Sequence, residues 1–66
     1  MDIRFSRHAK NKLRLYKLTQ TEIEAAINRG ERMNQGEKSE SRYGNLRVIW
    51  VMVGSYALVV TVIRIK

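Results

Sequence analysis

The chain has 66 residues, with thirteen Lys+Arg against six Asp+Glu for a formal net charge of +7, and it contains no cysteine. That length fits one small domain over 1–66, which buries only about 60% of its unfolded surface, and the lack of cysteine rules out disulfide staples, thiolate metal ligands and thiol nucleophiles. The charge excess favours a polyanion such as nucleic acid as partner, the plainer alternatives being a solvated basic surface or an acidic protein.

From the N-terminus, Asp2-Ile3-Arg4-Phe5 alternates like a short edge strand. Ser6 then suits the N-cap of a helix over about 7–16. Ala9, Leu13 and Tyr16 share one arc of that helix, Arg7, Lys10, Arg14 and Lys17 form a basic arc beside it, and His8 and Lys12 flank it on the other side. Thr19 and Glu22 make a capping box for a second helix near 20–29, with Leu18 and Ile23 as its hydrophobic staple. Ile23, Ala26 and Ile27 give the buried stripe and Gly30 the stop. Lys17-Leu18 leaves almost no loop, so the helices form a hairpin.

Residues 31–41 are polar and read as a ragged loop or as an exposed edge strand guarded by charge. Gly44-Asn45 is a hairpin turn that pairs Tyr43 with Leu46 and Arg42 with Arg47. LRVIWVMV at 46–53 and YALVVTVIRIK from 56 flank Gly54-Ser55, a second two-residue hairpin loop. Strict alternation pairs Val53 with Tyr56, Val51 with Leu58, Ile49 with Val60 and Arg47 with Val62. One face then carries Leu46, Val48, Trp50, Met52, Ala57, Val59, Thr61, Ile63 and Ile65 without charge. The other carries Arg47, Ile49, Val51, Val53, Tyr56, Leu58, Val60, Val62, Arg64 and Lys66. The expected architecture is α+β, an N-terminal helical hairpin packed on one face of an antiparallel three- to four-stranded sheet. The apolar middle of the basic face, around Ile49, Val51, Leu58 and Val60, is expected to be covered by another chain or by the N-terminal segment bearing Ile3 and Phe5.

The run 48–63 is shorter than the ~20 residues a spanning helix needs and is broken at Gly54-Ser55-Tyr56, so no membrane span is expected. MDIRFSRHAK lacks the apolar region of a secretory signal, which makes a cytoplasmic location the default.

That register gathers Arg42, Arg47 and Arg64 at one end of the sheet. Like charges placed together are destabilising, and arginine suits bidentate phosphate contacts, so the cluster reads as a phosphate site. Glu37 or Glu40, or simple exposure, would equally relieve the repulsion. His8 is the only histidine and falls in the first turn of helix 1, where an imidazole can accept a proton. A packed or capping histidine is the commoner case. One His and scattered carboxylates give no metal-ligand spacing, and no metal or other cofactor is expected. Trp50 and Tyr16 read as core, so base stacking on aromatics is a weak signal.

The runs F-S-R-H-A-K-N-K-L at 5–13, K-L-T at 17–19, I-N-R-G at 27–30 and L-V-V-T-V-I-R at 58–64 resemble a family of small bacterial and archaeal domains related to the RelE/ParE and BrnT toxins. The resemblance implies two helices followed by an antiparallel sheet. The chain departs from the pattern at Lys12, where arginine is usual, at Tyr16, in place of a second arginine, and at Lys17, in place of glycine. The sequence given ends at Lys66, short of the extension in which many RelE-type toxins keep catalytic residues, so the resemblance speaks to fold before activity.

Two functions follow from it. The first is a toxin-like, metal-independent endoribonuclease that uses the RNA 2′-hydroxyl as nucleophile and is neutralised by a cognate antitoxin. Arg47 and Arg64 would hold phosphate with Arg42 in support, His8 would accept the proton, Lys12 would assist, and Lys10 and Arg14 would attract RNA at long range. The second is a non-catalytic module of the same fold that binds nucleic acid or protein. RNA, an antitoxin and a second copy of the chain are thus the partners to weigh. Catalysis requires His8 or Lys12 within reach of the Arg47/Arg64 end.

Overall fold

The computed structural model describes residues 2–65. In chain order it comprises β1 (Asp2–Phe5), α1 (Arg7–Tyr16), α2 (Gln20–Arg29), β2 (Glu31–Gln35), β3 (Lys38–Tyr43), β4 (Leu46–Val53) and β5 (Tyr56–Arg64). The strands form one five-stranded sheet in the order β1-β5-β4-β3-β2. Strands β2 to β5 are an antiparallel meander, and β1 adds to the free side of β5 in parallel, Asp2 opposite Tyr56 and Phe5 opposite Val59. The sheet therefore has more strands than the three or four expected. Among the described residues, no helix is long and apolar enough to cross a membrane.

Both helices start at side-chain caps, which satisfy N–H groups that the first helical turn leaves unpaired. Ser6 Oγ accepts from the Ala9 N–H at 3.1 Å. Thr19 Oγ1 accepts from the Glu22 N–H at 3.2 Å, and the Glu22 carboxylate takes the Thr19 N–H in return. Helix α1 ends at Lys17 in the left-handed region, and Leu18 N–H donates back to the Leu13 carbonyl at 2.8 Å. Gly30 ends α2 by a different device. Its φ is −74°, open to any residue, but a Cβ there would lie 2.4 Å from the Ala26 carbonyl oxygen and 2.6 Å from that of Arg42. Glycine is needed because α2 passes directly against β3.

Helix α1 packs mainly on β5, and α2 on β3 and β4. The layer between holds Ala9, Leu13, Ile23, Ala26, Ile27, Leu46, Val48, Trp50, Ala57, Val59 and Val62, with Ile3, Phe5 and Leu18 against it. Trp50 is buried under the helices as expected, and its Nε1–H donates to Ser41 Oγ at 2.9 Å.

The polar segment 31–41 is not a loop. It supplies β2 and most of β3, joined at Gly36-Glu37. Ser39 and Ser41 are its only buried residues. Their small side chains let the indole of Trp50 lie across β3, which is why a core strand reads as hydrophilic.

The main departure from strict alternation lies in the last hairpin. Val53, Met52, Val51 and Trp50 pair with Tyr56, Ala57, Leu58 and Val59, but Ile49 pairs with Thr61 and Arg47 with Ile63. Val60 is the extra residue of a β-bulge, and every side chain after it changes face. Val62 is thus fully buried and Ile63 is 45% exposed, the reverse of the alternation expected. Ile3 and Phe5 pack on the helix side, so the N-terminal segment does not cover the outer face of the sheet. The placement expected for Lys66 lies outside the described residues.

Candidate nucleic-acid interface

The bulge decides which charges meet. With strict alternation Arg64 would share a face with Arg47 and Arg42. Instead Arg64 pairs with Leu46, on the helix side, and its Nη1 donates to the Tyr16 carbonyl at the end of α1, 3.0 Å away. The three-arginine end is therefore split. Arg42 and Arg47 remain cross-strand neighbours on the outer face. Arg42 is ion-paired there with Glu40, and Arg47 Nη1 donates to the carbonyls of Gly44 and Leu46 at 3.2 and 3.0 Å.

What replaces the cluster is the junction between α1 and the end of β5, which opens into a furrow at the Tyr16 end. Strand β1 stops at Phe5, opposite Val59, so among the described residues the rest of β5 has no strand on that side. Ser6 closes the junction. Its N–H donates to the Val59 carbonyl and its hydroxyl to the carbonyl of the bulged Val60, both at 3.0 Å. One hydroxyl thus caps α1 and holds the bulge.

From there His8, Lys12 and Tyr16 follow at successive turns of α1, along one flank of the helix. His8 Nε2 is 3.0 Å from Thr61 Oγ1 on the bulged strand. Lys12 Nζ lies 5.7 Å from the centre of the Tyr16 ring, a cation–π distance. Arg64 closes the far end, beside a hollow of about 400 Å³ lined by Tyr16, Asn45, Arg64 and Ile65. Lys10 and Arg14 are exposed on the helix's other flank. No acidic residue occurs in α1, so the helix presents cations on both flanks.

His8, Lys12 and Arg64 are thus on one side of the molecule, and Arg47 and Arg42 on the other. His8 and Tyr16 are eight residues apart on α1, about 12 Å along the axis, and Arg64 is fixed at the Tyr16 end. Thr61 and the Tyr16 carbonyl escape a reading by sequence because nothing in V-V-T-V-I-R marks a bulge. The one residue out of place is visible only in the register with β4. Among the described residues, no group of three or more His, Cys, Asp or Glu side chains could hold a metal ion.

Comparison with known proteins places this geometry. The profile of a family described as "Domain of unknown function (DUF4258)" matches residues 5–64. Among solved structures, the toxin–antitoxin complex RelBE2 from Mycobacterium tuberculosis contains a similar chain. The two share 15% identity and superpose with a TM-score of 0.65 over 96% of this chain and 95% of that one. The likeness is one of fold: two helices on a mostly antiparallel sheet. No curated protein sequence matches.

Proposed function

The chain belongs to the DUF4258 family, and on that premise we propose that it is a toxin-like RNA-binding domain whose α1–β5 furrow takes the phosphate backbone. One observation carries the reading. The bulge at Val60 sets Arg64 beside the helix flank that bears His8 and Lys12, making a row of two cations and an imidazole on a chain of net charge +7. Phosphate contacts of this kind position a strand without reading its sequence.

A row supports binding along a strand. His8 and Arg64 stand too far apart, at opposite ends of α1, to serve one scissile phosphate as drawn. Scission is the second reading, favoured by Lys12 lying one turn from His8 on the same flank. In it His8 takes the 2′-hydroxyl proton as the 2′-oxygen attacks the adjacent phosphorus. The bond to the 5′-oxygen breaks to leave a 2′,3′-cyclic phosphate, and the 5′-oxygen takes a proton from water or from His8. Lys12 steadies the phosphate, without Arg47. The fold is shared with a chain from a toxin–antitoxin complex, and by that analogy the natural partner is an antitoxin-like protein.

The test is RNA binding measured across salt concentrations. Each phosphate contact to a single strand adds about −0.7 to the slope of log K against log salt. Lys12→Ala and Arg64→Ala should each flatten the slope by about that amount. Arg47→Ala and Lys38→Ala should leave it unchanged. Equal effects of Arg47→Ala and Arg64→Ala would overturn the furrow. Incubating RNA with wild type and with His8→Ala separates the two readings. Cleavage lost with His8 supports scission, and intact RNA with both proteins supports binding alone.

A further inference from the structure

A second cationic site lies at the other end of the sheet, away from α1. Arg32 of β2 lies over the Trp50 ring, its guanidinium carbon 4.7 Å from the ring centre. Its Nε–H donates to Asn34 Oδ1 at 3.2 Å. The same oxygen accepts from the Ser39 hydroxyl at 3.3 Å, and Ser39 is buried. The guanidinium is therefore held flat by a stack, a hydrogen bond and a second hydrogen bond that orients its acceptor.

The other arginines with described partners are held differently. Arg4 also lies over an aromatic ring, Tyr56, at 4.2 Å, but pairs with the Asp2 carboxylate. Arg42 pairs with Glu40, and Arg47 and Arg64 donate to backbone carbonyls. Arg32 is stacked, yet among the described residues it forms no ion pair. Holding Nε on a neutral amide leaves the two terminal nitrogens to bind an oxyanion. A fork fixed in advance loses little side-chain entropy when it does so.

Arg32, which covers Trp50, lines an open pocket of about 520 Å³ with Asn34, Ser39, Gly36, Glu37, Val51 and Met52. Met52 is 45% exposed and offers apolar surface. Glu37 disfavours a bare anion and suits a ligand that also brings a hydrogen-bond donor. A phosphate for Arg32, a hydroxyl for Glu37 and a planar apolar group for Met52 describe a nucleotide. We propose that the Arg32–Trp50 pocket binds the terminal phosphate of a nucleoside 5′-monophosphate, free or at the 5′ end of a strand. The site stands apart from the α1–β5 furrow and does not depend on it.

Trp50 is the chain's one tryptophan, so its emission reports on the group stacked against it. Adding adenosine 5′-monophosphate should change that emission saturably, whereas adenosine alone, or sodium chloride at matched ionic strength, should not. Arg32→Lys keeps the charge and loses the planar fork. Arg32→Met keeps apolar cover over the indole. Both should weaken binding about tenfold or more, the equivalent of one charge-assisted hydrogen bond. Arg4→Met, which removes a stacked arginine on the outer face, should not. A 5′-phosphorylated oligoribonucleotide that reproduces the response, while its 5′-hydroxyl counterpart does not, identifies a strand end as the source. If only the mononucleotide does so, the ligand is free. The proposal is overturned if no phosphorylated probe changes the emission, if chloride does so equally, or if Arg32→Lys binds as wild type.

Discussion

Lys17 closes α1 at φ 57° and ψ 45°, a left-handed conformation that costs a residue with a side chain about 1–2 kcal/mol. Lys17→Gly should therefore raise stability by about 1 kcal/mol, or about 4–8 °C in melting temperature for a domain this small. A thermal melt showing no gain would mean that the lysine side chain contributes an unseen contact. Ser41 carries the opposite risk. Its hydroxyl is the partner of the buried Trp50 Nε1–H, so Ser41→Ala leaves an indole donor unpaired and should cost about 1–3 kcal/mol in denaturant unfolding. The caps at Ser6 and Thr19 were legible in the sequence because a cap is a local event of four residues. The Arg32–Trp50 stack was not, because it joins β2 to β4 across an intervening strand and has no fixed spacing along the chain.

At the scale of elements, the bulge makes opposite demands on two neighbours. Val62→Ala should cost about 2 kcal/mol, as a truncation in a closed core. Ile63→Ala should stay within about 0.5 kcal/mol, as a surface change. Unfolding curves in the reverse order would restore strict alternation and return Arg64 to the outer face. Gly30→Ala tests the contact of α2 with β3. Its Cβ meets two backbone oxygens that cannot swing aside, so it should cost about 1–3 kcal/mol although the backbone angles suit alanine. Hairpins were readable from Gly44-Asn45 and Gly54-Ser55, which stand between apolar runs. Gly36-Glu37 was not, because the strands it joins are polar: β2 is exposed throughout, and the core positions of β3 are serines. The consequence for the candidate site was large. A single uncounted residue at Val60 moved Arg64 from one face of the sheet to the other.

At the scale of the whole molecule, helices cover one face of the sheet. Among the described residues nothing packs on the other. Ile49, Val51 and Leu58 are half-buried there by their neighbours alone, and Ile63 is 45% exposed. Apolar surface of this kind usually marks an interaction site. Light scattering on the isolated chain should report a species larger than monomer, and Ile49→Lys should reduce it to monomer while the circular dichroism spectrum of the fold is kept. A strict monomer at high concentration would remove the outer face from consideration as a self-association surface.

Strand β1 reaches its place only through a contact between distant parts of the chain, since Ser6 and Val60 are 54 positions apart. The turns of the meander, by contrast, are closed by two residues each. Loop-closure entropy makes the meander the early structure and β1 the late one. Substitutions at Ile3 and Phe5 should accordingly speed unfolding and leave the folding rate nearly unchanged. In native-state hydrogen exchange the β1 amides should open before those of β4. Whenever they do, the edge of β5 that begins beside His8 lengthens toward Tyr56. The flank of α1 that bears His8 and Lys12 is then bordered by unpaired backbone, and its geometry loosens without the domain unfolding.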